Sequence, residues 1–207
     1  MGNNKKNKMY KYFIINCLFL GLYASRANCQ SNKDVINYYS SSTDLKFNNL
    51  NYSLSWSSHP NDIYYKQEYV ADGQESEHYN DMMVIDFLIT ELTVKDVVGT
   101  QLKSLSERKQ TDKICNYEVV KNQQTGEYIL DFIMSEEKDD HLDITEWNAY
   151  RYKSYKDKDG HKGVLLLGVS HRVYSNETNI FLSGLKKYRF EIINKLAVYP
   201  FPEINIK

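Results

Sequence analysis

The stretch Tyr64–Glu91, YYKQEYVADGQESEHYNDMMVIDFLITE, constrains the fold more than any other part of this 207-residue chain. An aromatic segment with Tyr64, Tyr65, Tyr69 and Val70 runs into the polar stretch Ala71–Ser76. The chain then returns through Met83, Ile85, Phe87 and Ile89 at a spacing of two. That period puts the four side chains on one face of an extended strand, so the segment predicts strand, turn, strand with a core on one side. A helix follows at once. Thr93 with Asp96 three positions on forms a capping pair, and Val94, Val97, Val98, Leu102 and Leu105 fall on one helical face that must cover a sheet.

The same reasoning extends along the chain. Leu50, Tyr52, Leu54 and Trp56 alternate with polar residues and predict a half-buried strand that ends at Ser57–Asn61. Beyond the helix, Ile114–Lys121 and Tyr128–Ser135 read as strands joined by the turn Asn122–Gly126, followed by a charged loop, Glu136–Asp143. Ile144–Tyr155 alternates again. Gly163–Tyr174, with Val164, Leu165, Leu166, Leu167 and Val169, is the most apolar strand and belongs near the centre of the sheet. Lys156–Lys162 supplies the turn between these two strands. A closing helix over Asn179–Ala197 carries Phe181, Leu182, Leu185, Tyr188, Ile192, Ile193 and Leu196 at helical spacing, and Pro200 and Pro202 end it. Strands, helix, strands, helix predicts an α+β domain: an antiparallel twisted sheet of about six strands with two main helices packed on it. The 18 tyrosines agree, because Tyr suits half-buried pleated surfaces with its hydroxyl kept wet.

The amino terminus has the three parts of a secretory signal: Lys5, Lys6, Lys8 and Lys11, an apolar run from Phe13 to Ala24, and small residues beyond. The apolar run is short for a bilayer span, which needs ~20 residues. Residues 1–29 are therefore expected to be a cleaved signal, 30–49 a flexible leader and 50–207 a single domain, secreted or periplasmic. Cleavage after Ala27, lipidation at Cys29 and retention as an uncleaved amino-terminal anchor are the alternatives. Ala27-Asn28-Cys29 before Gln30 resembles exported proteins of the Bacteroidetes type. Removing the signal leaves Cys115 as the one cysteine, read as a small buried hydrophobe. With 26 basic and 27 acidic residues and a net charge of −1, no bulk field gathers nucleic acid or anionic lipid. Neither nucleic-acid binding nor stable membrane insertion after signal removal is expected.

The segment Glu68-Tyr69-Val70-Ala71-Asp72-Gly73-Gln74, followed by Tyr79-Asn80-Asp81-Met82-Met83-Val84, resembles the pattern of small exported domains of the Mog1/PsbP-like type. The order of later elements, with Glu146-Trp147-Asn148-Ala149-Tyr150-Arg151 leading to an apolar strand and a closing helix, is similar too. The resemblance implies an accessory or binding role and carries over no catalytic residue.

Other constellations point to ordinary structure. Asp157-Lys158-Asp159-Gly160 resembles the start of a calcium loop but lacks its third acid and closing glutamate, which favours an Asp-Gly turn. Glu136, Glu137, Asp139, Asp140 and Asp143 are interrupted by Lys138 and His141 and read as a solvated loop. The histidines His59, His78, His141, His161 and His171 show no zinc spacing, and His171, on a strand face with Val169 and Val173, reads as a hydrogen-bonded core residue. Glu146, Arg151 and Arg172 are placed to meet across neighbouring strands as ion pairs. No cofactor, metal or catalytic residue is expected. The expected function is an exported, non-enzymatic accessory or protein-binding module. Its interaction surface would draw on Tyr64, Tyr65, Tyr69, Tyr79, Trp147, Tyr150 and Arg151, and its partner would be another envelope or secreted protein. The alternatives are a small apolar-ligand carrier with a pocket between helix and sheet, favoured if Trp56, Trp147 and tyrosines converge, and an envelope enzyme, favoured if Glu146, His171 and Arg172 do.

Overall fold

The computed structural model describes residues 35–139 and 141–207. Eight strands form one antiparallel sheet in the order β1-β2-β3-β4-β8-β7-β6-β5. They are β1 (Asp44–Phe47), β2 (Leu50–Asn61), β3 (Tyr64–Ala71), β4 (Asp81–Ile89), β5 (Asn116–Lys121), β6 (Tyr128–Lys138), β7 (His141–Lys156) and β8 (Lys162–Tyr174). Helix α1 (Val94–Arg108) follows β4, and α2 (Thr178–Val198) follows β8. The sheet is two four-stranded meanders joined where β4 pairs with β8, with α1 carrying the chain from the centre to the far edge.

The expectation of about six strands is overturned: there are eight. The additional order lies partly in residues expected to be a flexible leader. There β1 pairs with β2 through the two-residue turn Asn48-Asn49, whose φ angles of 49° and 64° are the left-handed pair a tight hairpin needs. Tyr39, fully buried, donates from its hydroxyl to the carbonyls of Tyr65 (2.6 Å) and Ile85 (3.1 Å), and so ties this segment to the sheet centre. Strand β2 also runs through Pro60, tolerated because the register shifts between Ser58 and Asn61 and no regular ladder bond is asked of it. The charged stretch expected as a loop is the tip of the β6–β7 hairpin, closed by the pair Lys138 and His141. Residues 1–34, and with them the expected signal, lie outside the described residues.

One helix covers each face. On the first, Ile192 and Leu196 of α2 pack over Tyr69, Met83, Ile85, Phe87, Trp147, Ala149, Leu165 and Leu167. On the second, Val94, Val97, Val98 and Leu105 of α1 pack over Val84, Leu88, Leu130, Phe132, Val164 and Leu166. The Thr93–Asp96 capping box forms as the sequence predicts. Because β8 is covered on both faces, Leu165, Leu166 and Leu167 are all buried, each contributing about 1.5–3 kcal/mol of transfer free energy. Arg151 ties the carboxyl end of α2 to the sheet. Its guanidinium donates to the carbonyls of Leu196, which also accepts from the Tyr199 amide, and of Tyr199, and pairs with Glu127 at 2.7 Å.

Candidate functional site

Two regions carry chemistry: a buried polar row under the α1 side of the sheet, and the exposed edge at β5. The row starts at β3, where Lys66 and Glu68 form a buried ion pair at 3.0 Å. Opposite Lys66 on β4 stands Asp86, also buried, whose Oδ2 accepts from the Tyr64 hydroxyl at 2.7 Å. The row continues over β8 at Gly168, where a Cβ would fall 2.6 Å from the Tyr150 ring, so the missing side chain lets that ring lie across the sheet. It ends at Glu146, whose Oε2 accepts from Arg172 Nε at 2.6 Å and from the Tyr79 hydroxyl at 2.7 Å, with the Arg172 guanidinium 4.1 Å over the Tyr79 ring.

The electrostatics follow from burial. Removal from water pushes the Asp86 carboxyl up to about 6, opposed by the charge of Lys66 and the Tyr64 hydroxyl. Burial works against the charge of Lys66, but Glu68 and Asp86 outweigh it and hold the ammonium protonated above its usual range. Burial raises the Tyr79, Tyr150 and Tyr152 phenols, which therefore stay neutral, and Tyr79 donates to Glu146. Asp86 Oδ1, Gln101 Oε1, Asn148 Nδ2 and Tyr152 Oη are buried with no protein hydrogen-bond partner. The row is thus a set of structural ion pairs with one carboxyl, that of Asp86, raised by burial.

The expected interaction surface does not assemble as a surface. Tyr64, Tyr65, Tyr69, Tyr79 and Trp147 are buried, and Tyr150 and Arg151 are half-buried. Tyr64, Tyr79 and Tyr150 serve the α1 side, while Tyr65, Tyr69 and Trp147 belong to the α2 core. The aromatic content that suggested an interface is used in packing. Glu146 and Arg172 do pair, but Arg151 turns to the opposite face, toward Glu127. His171 also lies opposite Glu146, on the α2 side, where it bonds Asp81 at 2.8 Å and packs on Phe181 and Tyr188, so Glu146, His171 and Arg172 do not converge. Trp147 sits under α2 against Tyr188, whereas Trp56 is registered beside Glu68 on the α1 side, so the two tryptophans line no common pocket. Asp157-Lys158-Asp159-Gly160 makes the β7–β8 turn. The Asp157 carboxylate accepts from the His161 amide (2.8 Å), the His161 ring (2.8 Å) and the Ile206 amide (3.3 Å), bonds that hold it below the usual carboxylate range. Cys115 is buried, with its thiol against the Leu105 carbonyl.

The strand expected over Ile114–Lys121 forms as β5, but sequence reasoning missed its place at the open edge of the sheet. The strand pairs on one side only, with β6, and apart from half-buried Tyr117 every residue of it is exposed. Its Glu118 and Val120 face the α2 side. There Arg189 of α2 bridges Glu118 (2.6 Å) and Asp131 (2.8 Å). That bridge brings the helix flank to the strand, and Val120 (64% exposed) lies two residues along β5 from Glu118 on the same face. On the α1 side, Lys109 lies over the Tyr117 ring and Lys121 over the Tyr128 ring. A sequence signal was present: Val119-Val120 between Glu118 and Lys121 breaks the alternation that a half-buried strand shows.

Among the described residues no helix is long and apolar enough to cross a membrane, and no group of three or more His, Cys, Asp and Glu side chains is gathered as a metal site. No curated protein and no solved structure matches the chain. A family model does match residues 39–201, from buried Tyr39 to Phe201 just beyond α2, and the chain therefore belongs to that family, one whose function is uncharacterised.

Proposed function

We propose that this protein is an exported, non-enzymatic binding module whose partner, another envelope or secreted protein, docks on the open edge of the sheet at β5 and the adjoining flank of α2. The observation that carries this reading is the edge itself: a six-residue strand with one side of its backbone ladder unfilled, bearing exposed Val119 on one face and exposed Val120 on the other. An unpaired strand offers a row of amide and carbonyl groups to an incoming chain, and apolar side chains next to it supply anchors. The reading of Met1–Cys29 as a signal supports export. The accessory role implied by the Mog1/PsbP-like resemblance of the Glu68–Gln74 and Tyr79–Val84 segments agrees with a binding module.

The test is site-specific photo-cross-linking in the native cell. A photoreactive residue at Val120, and separately at Val119, is expected to capture the same partner, identified by mass spectrometry, while one at Lys158 on the β7–β8 turn captures none. Equal labelling from all three positions, or none from Val119 and Val120, would reject the edge as the docking site.

A further inference from the structure

We infer that the segment docking on β5 is an extended stretch in which acidic and apolar residues alternate; the inference rests on the edge being the docking site. A chain added along β5 becomes a ninth strand, and its side chains alternate between the two faces of the sheet. The two faces beside β5 differ in chemistry. On the α1 side stand Lys109 and Lys121, both exposed and resting over tyrosine rings. Neither has a carboxylate within ion-pair distance among the described residues, and the Lys109 ammonium is also 3.0 Å from Asn116 Oδ1. Exposed Lys113 precedes the strand and adds to the same sign of charge.

The acids nearby are already engaged. Asp112 is bonded by Arg108 and by the Ser135 amide and hydroxyl, while Glu118 and Asp131 are bridged by Arg189. The α1 side of the edge therefore presents unmatched positive charge beside exposed Val119, and the α2 side presents Val120 next to a neutralised bridge. Residues directly opposite each other on paired strands share a face. Every second residue of the docking segment shares a face with Lys109 and Lys121 and suits Glu or Asp, and the residues between share a face with Val120 and suit Val, Ile or Leu. Like charge on the α1-facing positions is repelled, which is the selective part of the arrangement.

The experiment uses the mature chain and three labelled heptapeptides read by fluorescence anisotropy: acetyl-Val-Glu-Val-Glu-Val-Glu-Val-amide, its counterpart with Lys in place of Glu, and the Glu peptide N-methylated at alternate residues. The Glu peptide is expected to bind and the other two to bind more weakly, on the order of tenfold. The double variant Lys109→Glu, Lys121→Glu, whose sites are exposed and whose melting temperature is expected to match wild type, should reverse the preference between Glu and Lys peptides. Equal binding of the N-methylated peptide would leave only charge attraction and overturn strand addition. Preference for the Lys peptide, or no peptide binding while cross-linking at Val120 still captures a partner, would overturn the acidic chemistry and leave the docking edge standing. A concentration-dependent dimer, abolished by Val120→Lys, would assign the edge to a second copy and also overturn the inference.

Discussion

Strands β8 and β5 lie in the same antiparallel sheet but end in opposite environments. β8 sits between β4 and β7 with a helix over each face, and its residues from Gly163 to Ser170 are all buried. β5 has one neighbour and a free edge, and its two valines are exposed. The difference separates what stabilises the fold from what the fold can offer. β8 holds the two meanders together and has no backbone group to spare, whereas β5 contributes little burial and leaves half its ladder open.

The contrast sharpens first at the centre, where the largest effects are expected. Removing Glu146 as Glu146→Ala leaves Arg172, 4% exposed, without its buried carboxylate, and should cost about 3–5 kcal/mol in denaturant unfolding. Leu167→Ala, a full truncation inside β8, should cost about 2–5 kcal/mol by the same measurement. A loss below 1 kcal/mol in both would mean that the centre is not the stabilising region described here.

Asp86 gives a pH-dependent contrast within the buried row. Its carboxyl is raised from 3.8 to about 6 in the folded state, so the folded chain keeps a proton that the unfolded chain releases. Its contribution to stability is present below the unfolded value and is lost as pH rises through about 6. Asp112 and Asp157, both lowered, run the other way, and their contributions fade as pH falls. The isolating measurement is the difference in stability between wild type and Asp86→Asn from pH 4 to pH 7. The variant should gain on wild type as pH rises, and a flat difference would show that Asp86 has an ordinary value.

At the edge the expected effect on stability is the smallest: Val120→Ala should stay within about 0.5 kcal/mol of wild type, because the side chain is exposed and packs on no core. A larger loss would show that β5 is held by contacts of its own and is not a spare edge.

Much of this was legible in the sequence, for identifiable reasons. The apolar run of β8 announced a strand covered on both sides, the Thr93–Asp96 pair announced the start of α1, and Pro200 announced the end of α2. β1 was not legible because it is four residues long and its turn is Asn48-Asn49, without the glycine that usually marks a tight hairpin. The tyrosines misled because Tyr serves equally as an interface residue and as a core residue with a bonded hydroxyl. Tyr39, Tyr64 and Tyr79 take the second role, and only pairing and register decide between the two. The edge left only the Val119-Val120 break in alternation as a trace, because no local pattern says which strand lacks a neighbour.

The most direct test of that edge is amide hydrogen exchange read by NMR, residue by residue, on β8 and β5 with and without the Val-Glu heptapeptide. The account predicts that β8 is protected throughout, that the β5 amides pointing away from β6 exchange rapidly in the free protein, and that the peptide protects those amides while leaving β8 unchanged. Outward β5 amides already protected without peptide, or unprotected at saturating peptide, would contradict it.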